Sequence, residues 1–119
     1  MASVDLALKP TILVVATKDF NEDVFSAVFY GIEEEGIPYT FEKRLGLDVR
    51  QAAFDAARSS SLSVGIACDG QTLVLQYKNL PLENPFLVLN DFTSLHKQKV
   101  KDFGSNGARL VKGVSLKMD

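Results

Sequence analysis

The apolar positions of this chain switch between two periods. Thr11 to Ala16, TILVVA, is a short continuous β-branched run, which reads as a strand covered on both faces, as in a parallel sheet. Phe25, Val28, Phe29 and Ile32 then recur at i, i+3, i+4 and i+7, one face of a helix running to Glu35. Asp19 and Glu22 offer an N-cap pair for it, and Gly36 a left-handed C-cap. Pro38 introduces a second strand, Tyr39 to Lys43, where Tyr39 and Phe41 alternate with Thr40 and Glu42 as in a half-exposed or edge strand. Gly46 breaks it. Asp48 can cap a second helix with a narrow stripe of Val49, Ala52, Ala53, Ala56 and Ala57, and Ser59, Ser60 and Ser61 end that helix as a loop.

The second half is richer in strands. Leu62 to Cys68 reads as a third strand, Asp69-Gly70 as a two-residue hairpin, and Thr72 to Tyr77 as its antiparallel return. A loop with two prolines leads to a fifth strand, Phe86 to Asn90. Asp91 or Thr93 then starts a last helix to Lys112, with Gly104 and Gly107 expected to bend or split it and Gly113 to cap it. Arg109 and Lys112 suit the negative end of its dipole. The order βαβαββα predicts a three-layer α/β domain with five strands, the fourth running against the others.

One stretch violates two local rules. Glu33, Glu34 and Glu35 occupy the last turn of the first helix, where the dipole is negative and each exposed acid costs roughly 0.3–1 kcal/mol. Gly31, inside the same helix, costs about 1 kcal/mol relative to alanine. Two readings are open: a solvated acidic helix end, or a site for a cation, whether a metal or a partner's basic group. Rotation of about 100° per residue places Glu34 nearly opposite the centre of the apolar face, with Glu33 and Glu35 flanking the core edges. Glu34 is the carboxylate best aimed outside the domain.

Composition narrows the choice of chemistry. A chain of 119 residues fits one domain, and its net charge of −2, with signs interspersed, gives no reason to expect nucleic acid or an anionic membrane as partner. The start, MASVDLALKP, has no basic, long apolar leader, and no stretch is apolar enough to span a bilayer, so the cytosol or a compartment assembled inside it is expected. The first strand–helix turn carries no dinucleotide or P-loop glycine pattern. His96, the single histidine, lies among Lys97, Lys99 and Lys101 and reads as a surface residue. Cys68, the single cysteine, precedes Asp69, which raises a thiol's pKa and argues for core filling over nucleophilic work. Consecutive helical glutamates do not face one another, so they make a poor catalytic pair. Asp19, Asp69 and Lys97 loosely resemble a phospho-receiver site, but Asp69-Gly70 leaves no room for the helix a receiver needs there. A stand-alone enzyme of this fold would instead need a deep pocket at the carboxyl ends of the strands.

Four segments, GIEEEGIPY (31–39), AARSSSLSVGIACDG (56–70), YKNLP (77–81) and NGARLVKGV (106–114), together resemble the small subunit of the diol/glycerol dehydratase-reactivating factor. GIEEEG alone is also similar to the medium subunit of adenosylcobalamin-dependent dehydratases, the alternative reading. The absence of that subunit's long N-terminal extension and the AARSS and ARLVKG stretches favour the reactivating factor. The resemblance implies an α/β/α fold with strand order 2-1-3-4-5 and strand 4 antiparallel. It implies a non-catalytic subunit that pairs with a large, actin-like ATPase subunit and also with a dehydratase large subunit. ATP-driven exchange of such subunits releases damaged cobalamin, in the cytoplasm or in association with a bacterial microcompartment. The middle glutamate of the motif, Glu34, would reach a Mg2+ (or Ca2+) ion shared with the large subunit, with Glu33 and Glu35 beside it at the interface. No cofactor of the chain's own is implied, and no contact is carried over from Met1–Lys9 or Phe20–Val24.

Overall fold

A computed structural model describes residues 10–18 and 22–117. Five strands, β1 (Ile12–Ala16), β2 (Tyr39–Lys43), β3 (Val64–Cys68), β4 (Leu73–Tyr77) and β5 (Leu87–Leu89), form one sheet in the order β2-β1-β3-β4-β5. β1 pairs parallel with β2 and β3, and β4 pairs antiparallel with β3 and β5. Helices α1 (Glu22–Glu34) and α3 (Lys97–Lys112) cover one face, and α2 (Val49–Ser59) covers the other. The strand order and the reversed fourth strand are those expected.

Every residue of β1 is buried, and alternation divides them between two cores. Ile12, Val14 and Ala16 join Ile66, Leu75, Phe25, Val28, Ile32, Val100 and Phe103 on the α1/α3 side. Leu13 and Val15 join Ala67, Val74 and the alanines of α2 on the other. A strand sandwiched this way has no polar face to show, hence the unbroken apolar run. The helical spacing of α1 also holds: Phe25, Val28 and Ile32 are fully buried, and Phe29 stacks on Tyr39 of the edge strand β2 with ring centroids 4.6 Å apart.

Local caps explain most of the boundaries. Asp48 accepts from the amides of Arg50 and Gln51, both at 3.1 Å, and starts α2. Gly36 (φ +77°) follows α1 and Gly113 (φ +72°) follows α3, both left-handed. The Asp19/Glu22 cap lies outside the described residues and side chains.

Three expectations need correction. The tip of the β3–β4 hairpin is Gly70-Gln71, one residue beyond Asp69-Gly70. Asp69 instead uses its carboxylate to accept from the amides of Gln71 and Thr72, both at 2.7 Å. Neither Asp91 nor Thr93 begins the last helix. Asp91 is left-handed and leads into a single 3-10 turn, Phe92–Ser94, which seats the Phe92 ring in the core. α3 proper starts after His96, whose Nδ1 accepts from the Gln98 amide at 3.1 Å.

α3 is also one unbroken helix despite Gly104 and Gly107. A Cβ on Gly104 would run into the carbonyl oxygen of Val28, and a Cβ on Gly31 into that of Lys101. The two glycines are reciprocal: each lets the backbone of the opposite helix come close. Gly31 therefore breaks the propensity rule for packing.

Candidate functional site

No basic residue stands in the last turn of α1 to balance its acids. The compensating charge comes from α3, about seventy residues further along the chain. The Glu35 carboxylate is held by Lys112 Nζ at 2.7 Å and by Arg109 Nε at 2.9 Å, and its side chain is only 10% exposed. Lys112 Nζ also donates to the Glu35 carbonyl at 3.1 Å, so a cation does sit at the negative helix end. Ser105 Oγ lies within reach of both the Gly31 carbonyl (3.2 Å) and the Glu35 carboxylate (3.3 Å). Hydrogen bonds from Lys112 and then Arg109 outweigh partial burial and pull the Glu35 pKa down from 4.5 to about 2. Glu35 is thus a tie between two helices, and Arg109 and Lys112 serve it as well as their own helix end.

Glu33 points the other way and accepts from the Tyr39 hydroxyl at 3.1 Å. Burial, then this carboxylate, raises the Tyr39 pKa. Glu33 is itself exposed and does not flank the core as expected; Glu35 alone is drawn inward.

Glu34 is exposed like Glu33, but its carboxylate is turned along the seam toward bases of α3 and the segment after it. Its side chain is 47% exposed, Lys101 Nζ stands 2.5 Å from Oε2, and Lys117 Nζ stands 4.0 Å from Oε1. Lys117 is delivered by the segment that follows α3. That segment folds back on the helix: Asn106 pairs with both the amide (2.6 Å) and the carbonyl (3.1 Å) of Lys117, and Arg109 donates to the Ser115 carbonyl at 3.0 Å. Asp102, 3.8 Å from Lys117 Nζ, completes an alternating row, Asp102–Lys117–Glu34–Lys101. Sequence spacing singled out the acids and missed these bases, which only the packing of α3 on α1 brings near.

A divalent cation fits this corner only in part. Among the described residues no group of three or more His, Cys, Asp or Glu side chains is arranged to hold a metal ion. Glu34 could supply one carboxylate, with other ligands from outside the chain and with Lys101 moved aside.

The remaining candidates play structural roles. His96 is an exposed helix cap. Cys68 is fully buried, and burial first, then Asp69, pushes its thiol up to about 12. Surface hollows lie along α3. One is lined by Leu87, Leu89, Phe103 and Asn106 among others, and another by Ser26, Tyr30 and His96 among others. No described helix is long and apolar enough to cross a membrane.

Order, direction and layering define a doubly wound α/β/α domain with one reversed strand. Residues 9–117 match the family model described as dehydratase medium subunit, and the chain belongs to that family. It is 41% identical over 111 residues to the propanediol dehydratase-reactivating factor small subunit of Salmonella typhimurium, covering 91% of this chain and 90% of the relative. It is 42% identical over 108 residues to the diol dehydratase-reactivating factor small subunit of Klebsiella michiganensis, covering 88% and 82%. Among solved structures, a diol dehydratase-reactivating factor complexed with ADP and Mg2+ superimposes with a TM-score of 0.85 at 40% identity, covering 92% of this chain and 99% of that one. A glycerol dehydratase reactivase gives 0.84 at 25% identity, covering 92% and 98%. The family-level resemblance read from the sequence is therefore shown.

Proposed function

We propose that this chain is the small subunit of a diol or glycerol dehydratase-reactivating factor. The observation that carries the reading is identity of about 41% over nine-tenths of the chain to proteins that bear that name. In this role it is a non-catalytic, exchangeable subunit of a cytoplasmic complex. It pairs with a larger subunit that hydrolyses ATP, and the pair releases damaged cobalamin from an inactivated dehydratase by exchanging subunits with it. The dehydratase large subunit is its second partner.

Glu34, with Glu33 and Glu35 beside it, marks the face offered to the large subunit. The exposed Glu34 side chain supports this. There Glu34 would contribute one carboxylate to a Mg2+ or Ca2+ ion whose other ligands come from the partner and water. Glu34→Ala is expected to weaken assembly with the large subunit by about tenfold, on the order of 1.4 kcal/mol, while leaving the melting of the isolated subunit unchanged. Calorimetry with Mg2+ present checks this, and equal affinity for wild type and variant overturns the assignment of Glu34.

The matched family model is described by the medium subunit of the dehydratase itself, which favours a second reading as that structural subunit. Pull-downs against both large subunits, with and without ATP, separate the two. Capture by the reactivating-factor subunit supports the first, and stable capture by the dehydratase subunit alone supports the second.

A further inference from the structure

The segment after α3 is held by its backbone. The Val114 amide donates to the Arg109 carbonyl at 3.2 Å, and the Arg109 guanidinium donates to the Ser115 carbonyl at 3.0 Å. One turn back, the Asn106 side chain accepts from the Lys117 amide at 2.6 Å and donates to the Lys117 carbonyl at 3.1 Å. Asn106 is only 6% exposed, so a buried amide is committed to one backbone position. The contacts step from Arg109 to Asn106, and the tail therefore returns along α3 toward the helix start. It arrives at the hollow beside β5, about 220 Å³ in volume and lined by Leu87, Leu89 and Phe103, with Asn106 and Lys117 next to them. Among the described residues β5 pairs only with β4, and its side chains are half-buried. The described chain stops at Lys117, beside that apolar hollow, with Met118 and Asp119 still to follow.

We propose that Met118 fills this hollow and latches the tail over the flank of β5. The direction follows from Lys117, whose ammonium is drawn toward Asp102 (3.8 Å) and toward Glu34 of α1 (4.0 Å). An extended chain turns successive side chains to opposite sides, so Met118 faces β5 when Lys117 faces α1. The distance to cover is short, because Asn106 fixes both backbone groups of the residue just before it. The chemistry fits as well. An unbranched thioether adapts to an irregular apolar gap, and its sulfur gains from a nearby aromatic ring, here Phe103. The tail then covers the open side of the last strand, where another extended chain could otherwise pair. The latch needs no partner: every residue of it belongs to this chain.

The test uses the full chain with isotope-labelled methionine methyl groups. Met1 and Met118 are its only methionines, and Met118→Leu identifies the second signal by removing it. In the folded chain the Met118 methyl is expected to show nuclear Overhauser contacts to the Leu87 and Leu89 methyls and to the Phe103 ring, and to lose them in urea. The Lys117 amide gives an independent reading, because its hydrogen exchange follows release of the tail. Met118→Ala should speed that exchange about five- to tenfold, as for the partial loss of a buried apolar side chain, whereas Met118→Leu should stay within about twofold of wild type. A Met118 methyl that shows no contact to β5 or Phe103 and resonates at its urea-unfolded position overturns the proposal. So does an exchange rate that Met118→Ala leaves unchanged, since Asn106 and Arg109 would then hold the tail without help.

Discussion

The two helical layers cover the same sheet by different means. α2 lies on it through Ala52, Ala53, Ala56 and Ala57, and Gly65 beneath them leaves no room for a side chain. Its capping acid serves its own first turn, and Gln51 bonds Asp55 within the helix. On the opposite face α1 and α3 pack on each other as well as on the sheet. Gly31 and Gly104 bring their backbones together, and charged side chains are exchanged across the seam. One layer is complete in itself. The other has a surface owned jointly by two helices and a trailing segment, so a change in one side chain there alters the pairing of several others.

The largest break in this contrast should come from closing the gap at the seam. Gly104→Ala gains about 1 kcal/mol of helix propensity but sets a methyl against the Val28 carbonyl, backbone against backbone. Overpacking typically costs 1–3 kcal/mol or more, and with no flexible neighbour to yield we expect a net loss of about 2–3 kcal/mol in urea unfolding. Gly31→Ala should behave alike.

Removing the charge that bridges the seam should cost less. Glu35→Gln loses two charge-assisted hydrogen bonds, and a destabilisation of about 1–3 kcal/mol at neutral pH is expected. The pH dependence carries a signature. Because the Glu35 pKa falls from 4.5 to about 2 on folding, its contribution is complete above pH 4.5 and disappears as pH drops toward 2. Wild type should lose stability over that window, and the Gln variant should lack this part of the slope.

The α2 layer supplies the small effect. Arg58 lies over the Phe54 ring, 5.4 Å from its centroid, on an exposed surface. Arg58→Ala should change stability by about 0.5 kcal/mol or less, and a larger loss would show that this layer too depends on its surface.

The same contrast explains what could be read from the chain alone. The succession of strands and helices, the alanine stripe and the caps at Gly36, Asp48 and Gly113 follow from residues within a few positions of one another and are legible; the strand order comes only with the family resemblance. The seam is not legible. A glycine that admits a neighbouring backbone looks in sequence like one that breaks a helix, so Gly104 and Gly107 read as breaks and Gly31 as a violated propensity rule with its reason left open. The acids of α1 were visible as an anomaly, but Lys101, Arg109, Lys112 and Lys117 become their partners only after α3 has docked. The start of α3 was misplaced because seating Phe92 in the core demands a turn that no local motif announces.

Cys68, the chain's one cysteine, closes β3 in the core beneath α1 and α3, fully buried and with its thiol pushed up to about 12 by burial. A disulfide reagent in neutral buffer meets neither an accessible sulfur nor a thiolate while the sheet is closed. The native sequence therefore carries its own clock: the rate of thiol labelling reports how often the middle of the sheet opens, with no introduced probe.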